Sequence, residues 1–255
     1  MADKTFGWRF FGLSIIVMAV ICLIWGNFDN GQPVPKNFPD RTQLAYAMGI
    51  LTLLAGVAIE WRRTTAWAAL ALTAYYAIVV VGLMGGRVIL RNLDIYGAYS
   101  GTAEQLAIAA GALIVYASHA DLEEATSKRL IRIGQIVFGV CAILFGGAHF
   151  AYMNLTAPLV PAWLPPNQEF WGYATGVFHI AGGLAILTGM QARLAAILLT
   201  VMYALFTPLA LVPELLATPT FFAWTENATN LMLIGVAWVV ADSLSPRPRA
   251  AQASP

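Results

Sequence analysis

Two histidines stand where an ionisable side chain is costly. His179 lies inside a long apolar run, on a stripe with Gly172, Thr175, Gly176 and Gly183. Residues three and four apart share one helix face, and small residues on such a face let a second helix come close. The stripe therefore turns His179 toward protein and away from lipid. His149 ends the preceding run, on a face with Gln135, Ala142 and Gly146. Counted from the outer ends at ~1.5 Å per residue, His149 lies roughly 6 Å deep and His179 roughly 13 Å. The two runs are antiparallel, and helical side chains lean toward their own N-terminus, which narrows the gap. The pair is expected to border one cavity in the outer part of the second half of the chain.

A neutral imidazole can donate to a quinone carbonyl, relay a proton, or ligate a metal or haem iron. No carboxylate or thiol is placed to complete a zinc site, and no metal is expected. The plainer reading is two buried histidines hydrogen-bonded to backbone, threonine or tyrosine. Around them, Trp171, Thr175, Tyr203 and Glu226 complete the candidates for a ligand or quinone site, with no cofactor held tightly. His119, beside Asp121 at a helix end, reads as solvated.

Glu104 and Glu226 each follow a threonine, Thr102 and Thr225. Thr102 with Gln105 fits a capping box, and an acid in a first turn suits the helix dipole. The other account is proton or cation access at a cavity mouth. Thr73 with Tyr76, and Thr200 with Tyr203, share an i, i+3 spacing that predicts interhelical hydrogen bonds. Cys22 and Cys141 sit inside apolar runs with no partner cysteine at redox spacing, and read as small apolar residues.

The elements that must position these groups follow from composition. A chain that is 59% hydrophobic and 11% charged departs far from an ordinary soluble domain, which carries roughly 25% charged residues. Its apolar residues fall in eight runs, at about 10–29, 43–60, 65–86, 103–120, 130–153, 170–190, 192–213 and 226–242. About 20 residues span a bilayer, and a span must be helical because lipid offers its backbone no partner. The first run lacks a small-residue cleavage site and reads as mature structure. Arg and Lys favour one set of loops, ten (Arg62, Arg63, Lys128, Arg129 and Arg132 among them) against Lys36, Arg41, Arg87 and Arg91. That asymmetry predicts a cytoplasmic-membrane protein with both termini inside. The tryptophans fall near run ends, Trp8, Trp61, Trp67 and Trp238 inside and Trp25, Trp163, Trp171 and Trp224 outside, as an aromatic belt requires.

The chain also repeats itself. From Tyr46 to Ala77 a constant shift of 127 pairs 12 identical residues in 32 positions, among them Gly49 with Gly176, Gly56 with Gly183 and Tyr76 with Tyr203. Gly12 and Phe28 match Gly134 and Phe150 at a shift of 122. The expected architecture is all-α: eight transmembrane helices as two parallel-repeat four-helix bundles, 1–124 and 125–246, with a disordered Pro-rich tail at 247–255. The outer loops 30–42 and 154–169 share a Val-Pro-x-x-(Phe or Leu)-Pro pattern, and the apolar second one is expected as a lid, an interfacial segment or a stiff connector. The copies differ most where Thr52 stands opposite His179 and Asn27 opposite His149.

Gly147, Ala148, His149 and Phe150, then Val160 to Pro166, then Tyr173, Gly176, Gly183 and Arg193 to Ala196 resemble the DoxX family. The first-half echo, Val34 to Pro39 with Leu44 to Gly49, resembles it too. Across residues 10 to 242 the resemblance implies two four-helix membrane units in tandem. It also implies a link to membrane redox complexes or thiosulfate:quinone oxidoreduction, although most relatives have no assigned activity. The family often carries an acid in the second helix, in a Gly-x-x-Glu setting. Here that place holds His179 and Thr52, so a role for that carboxylate does not carry over. The expected function is a redox-associated membrane protein binding quinone or another apolar ligand in the second half, with the bilayer and a membrane redox partner as its partners. Nucleic acid is not among the expected partners, and enzymatic activity and homo-oligomerisation are left open. The alternative is a non-enzymatic scaffold, lipid-binding protein or small-solute carrier.

Overall fold

A computed structural model describes residues 6–245; the tail expected at 247–255, and Lys4, lie outside them. The described residues form helices and turns with no strand. Nine helical elements follow one another among these residues: α1 (Gly7–Trp25), α2 (Arg41–Ile59), α3 (Thr65–Arg91), α4 (Tyr96–His119), α5 (Glu124–Ala151), a short α6 (153–159), α7 (Gln168–Thr188), α8 (Ala192–Ala217) and α9 (Phe221–Ser243). Six of them, α1, α2, α3, α5, α7 and α8, are long and apolar enough to cross a membrane, as a multi-pass membrane protein requires. Large apolar side chains are exposed on their outer faces, including Leu54, Trp67, Ile78, Phe178 and Leu198. The other two long helices, α4 and α9, have 24 and 23 residues. They are long enough but more polar, and they are the innermost. A helix screened by its neighbours can carry residues such as Gln105 and Asn230, which lipid would not tolerate.

The packing explains that position. α4 lies against α3, α5 and α9, and α9 lies against α1, α4 and α8; α1 packs on α2 and α5 on α7. One core runs through both halves, with Phe11, Ile15, Ile108, Phe138, Met232 and Val236 all buried in it. Glycines set the closest approaches. A Cβ on Gly235 would lie 2.8 Å from the Phe11 Cα, and one on Gly146 would lie 2.6 Å from the Gly176 carbonyl oxygen. The first turn of α1 is tied to α9 by the Gly7 N–H, which donates to Asp242 at 3.0 Å. Arg132 donates to the Ile186 and Leu187 carbonyls at 3.0 and 2.6 Å, placing a cation at the C-terminal end of α7, where the helix dipole favours it.

Several expectations change. α4 and α9 begin earlier than their apolar runs, because Tyr, Ala, Phe and Thr continue the helix outward. Thr102 is thus no cap: its hydroxyl donates to Ala98 O at 2.7 Å, and it is Thr220 that caps α9, accepting from Ala223 N at 3.2 Å. Glu104 and Glu226 therefore stand beyond the first turn, and the dipole account of them fails. Thr73 and Thr200 donate to their own helices, at Ala69 O and Ala196 O, and not across helices. Trp8 is buried, 4% exposed, and its ring lies 5.0 Å from that of His119. Trp8 is thus not a lipid-facing end residue, while His119 is half-buried at the end of α4, with Nδ1 2.9 Å from the Val115 carbonyl oxygen.

Both third helices of the two halves widen into π-helix, at Tyr75–Gly85 and Thr207–Leu211. In the second case the reason is local. Pro208 has no N–H to give the preceding turn, and Asn230 of α9 supplies one, donating to Tyr203 O at 2.9 Å and to Thr207 Oγ1 at 3.0 Å. The two outer loops also differ. The first tucks Phe28, Asp29, Gln32 and Val34 into the protein, whereas the second leaves Leu159 and Trp163 exposed.

Candidate functional site

His149 lies in the last turn of α5 and His179 in the middle of α7. Gly146 and Gly176 allow these helices to cross so closely that a Cβ on Gly176 would lie 3.0 Å from that of His149. The imidazoles consequently meet, with ring centroids 5.2 Å apart and planes inclined at 34°. His179 Nδ1 lies 3.0 Å from the Thr175 carbonyl oxygen. A carbonyl only accepts, so Nδ1 carries the proton, and Nε2 of the neutral ring is left as an acceptor. Thr175 thus serves the pair through its backbone, by setting the tautomer.

The His179 ring is enclosed by aromatics: Tyr203 at 5.4 Å, Phe145 edge-on at 6.1 Å and Phe206 at 6.4 Å. His149 Nδ1 and the Tyr203 hydroxyl are both buried with no hydrogen-bond partner; the Gly172 backbone is in reach of His149 but outside bonding geometry. Buried polar groups are rarely left unpaired. Here two of them belong to rings on α5 and α8 that flank His179, with centroids 5.2 and 5.4 Å from its own.

Trp171 does other work: its indole N–H donates to Pro165 O at 2.9 Å and, with Gln168 donating to Val160 O at 2.5 Å, anchors the second outer loop to α7. Glu226 belongs to a different group, at the outer end of α9. It lies within electrostatic reach of Asp29 and Glu104, and Glu104 within reach of Tyr203. Among the described residues no group of three or more His, Cys, Asp or Glu could hold a metal ion. Cys22 and Cys141 are buried and unpaired, as their apolar setting implies.

The first half holds polar residues that sequence reading passes over. Thr52, opposite His179 in the repeat, donates to the Met48 and Gly49 carbonyls of its own helix. Next to it, the Tyr75 hydroxyl donates to Gln32 Oε1 at 2.6 Å, and Gln32 Nε2 donates to Asp29 at 2.6 Å. Asp29 also accepts from the Gly31 N–H at 2.8 Å. Burial pushes the Asp29 carboxyl up to about 6, against the lowering effect of those bonds, and the Glu226 charge adds to the rise. The segment from Asn27 to Gln32 looks like an ordinary polar connector. Its burial depends on Asn30, which donates to Thr225 at 2.5 Å and pins the loop across α9.

Fold and site together define a helical protein of multi-pass membrane type with an aromatic-lined histidine pair. The model of a domain of unknown function, DUF8561, matches residues 138–241, the stretch that contains His149, His179, Tyr203 and Glu226. No curated protein and no solved structure matches the chain.

Proposed function

We propose that this chain is a DoxX-like, eight-span protein of the bacterial cytoplasmic membrane, with both termini inside. In this reading it is redox-associated and binds a quinone between α5, α7 and α8. The observation that carries the ligand is the contact of the His149, His179 and Tyr203 rings, in which His149 Nδ1 and the Tyr203 hydroxyl are buried without a partner. Tyr203 can donate to a quinone carbonyl, and His179 Nε2 can accept from a quinol hydroxyl. One site could thus hold both redox forms, while Phe145 and Phe206 flank the ring.

The tandem organisation is supported by matched packing: α1 on α2 mirrors α5 on α7, and α4 on α5 mirrors α9 on α1. The two π-helical segments fall at corresponding places in the repeat. The orientation rests on the Lys and Arg asymmetry between loops, and the spans assigned to α4 and α9 on their length.

Purification in mild detergent, followed by an optical spectrum and lipid extraction, tests the reading. The expected result is quinone in the extract, enriched over the quinone-to-lipid ratio of the starting membrane, and no haem band. A haem band, or no quinone from a quinone-rich membrane, would count against it.

A further inference from the structure

The turn between α2 and α3 carries Trp61, Arg62, Arg63 and Thr64, all of them exposed. Its backbone is tied down from both sides. The Thr64 hydroxyl donates to Ala58 O at 2.6 Å, and the buried Thr65 hydroxyl donates to Ile59 O at 2.7 Å. The two arginines therefore stand side by side at the tip of a fixed turn. Among the described residues neither guanidinium forms an ion pair or a hydrogen bond. Glu60, the nearest acid in the chain, is engaged by Arg9 at 3.6 Å instead.

Two tryptophans set the level of this tip. Trp61 is 72% exposed and Trp67 75%, so packing within the chain accounts for neither. Trp61 continues the exposed stripe of Ile50, Leu54 and Val57 on α2, and Trp67 begins an exposed stripe that reaches Ile78 on α3. An apolar stripe that ends in tryptophan ends where acyl chains give way to headgroups. Arg62 and Arg63 lie between the two tryptophans, at headgroup level. The scaffold does not need this set. At the repeat shift of 127 the same four places hold Thr188, Gly189, Met190 and Leu194, and the α7–α8 turn forms without them.

The chemistry narrows the partner. A guanidinium is a planar fork of donors that matches phosphate oxygens, and here two such forks carry no counter-charge. An anionic phospholipid supplies the phosphate at the tip and acyl chains against the tryptophans below it.

We propose that the α2–α3 turn is a binding site for anionic phospholipid, with the phosphate held by Arg62 and Arg63 and the chains lying against Trp61 and Trp67. The site is separate from the histidine pair and stands or falls independently of it. The test uses the full chain, delipidated in mild detergent, by native mass spectrometry and thermal unfolding. Phosphatidylglycerol is the probe, and phosphatidylcholine, which has the phosphate but no net charge, is the comparison. Phosphatidylglycerol is expected to be retained and to stabilise the protein, with phosphatidylcholine weaker by about tenfold or more. Each arginine at an anionic headgroup contributes roughly a fivefold preference. The double variant Arg62→Gln, Arg63→Gln should lose that preference. Without lipid it should unfold as the unsubstituted protein does, since neither side chain holds the fold. Arg193→Gln, beside the corresponding turn of the second half, should keep the preference. Inorganic phosphate in excess should not displace the lipid. Equal retention of the two lipids, a preference unchanged in the double variant, an equal loss in Arg193→Gln, or displacement by inorganic phosphate overturns the proposal.

Discussion

The ring of His179 lies 5.4 Å from that of Tyr203, yet the buried Tyr203 hydroxyl has no hydrogen-bond partner. In the proposed reading this hydroxyl donates to the bound quinone. An unsatisfied buried hydroxyl carries a desolvation penalty of about 1–3 kcal/mol. Tyr203→Phe is therefore expected to leave stability unchanged or raise it by about 1 kcal/mol, while lowering the quinone retained through purification. Thermal unfolding and lipid extraction on the same sample measure both. Clear destabilisation of the variant would mean that the hydroxyl is already paired inside the protein.

Asp29 gives a pH signature. Its folded pKa is raised from 3.8 to about 6 by burial, so between those values the folded state holds a proton that the unfolded state releases. Stability from this group is complete below about pH 4 and falls as pH rises through about 6. At about 1.4 kcal/mol per pKa unit the loss is on the order of 3 kcal/mol. Asp29→Asn should remove that slope, as read from unfolding midpoints in detergent between pH 4 and 7. An unchanged slope would assign it to other groups.

The π-helical turn of α8 depends on a borrowed donor. Asn230→Ala removes both bonds that α9 gives to Tyr203 O and Thr207, and should cost about 1–3 kcal/mol. Pro208→Ala restores a backbone N–H to the same turn, so the double variant should recover part of the loss. A purely additive double variant would show that the proline and the asparagine are not coupled.

Gly146 sets the distance between the histidines. With a Cβ there only 2.6 Å from the Gly176 carbonyl oxygen, Gly146→Ala must push α5 and α7 apart. A cost of about 1–3 kcal/mol is expected from overpacking. Quinone retention should fall as well, because the imidazoles separate. Stability measured with and without added quinone distinguishes the two effects.

Much of this was legible in the sequence, for identifiable reasons. Helical periodicity placed Gly176, His179 and Gly183 on one face, and that face does meet α5 through Gly146 and Gly139. The lean of helical side chains brought His149 and His179 together. The apolar runs located the helices but not the starts of α4 and α9: the outer turns of α4 are built from Tyr, Gly, Ala and Ser, which carry little hydrophobic signal, and Thr225, Glu226 and Asn227 separate the aromatic first turn of α9 from its apolar run. Composition also does not show that a helix is surrounded by others, so the polar residues of α4 and α9 read as surface or cap positions. Asp29, Gln32 and Gln105 were missed because their burial is created by a loop pinned from α9, 195 residues away in sequence. No local pattern records that contact.

The central claim of the proposal is that quinone binds beside His179 and Tyr203. Photolabelling of the purified full-length protein with an azidoquinone, followed by peptide mass spectrometry, tests it most directly. The account predicts label concentrated on α7 and α8 near these two residues, competed by excess quinone and lost in a His179→Leu, Tyr203→Phe double variant. Label spread over the lipid-facing surfaces, or confined to the first half of the chain and indifferent to competitor, would contradict it.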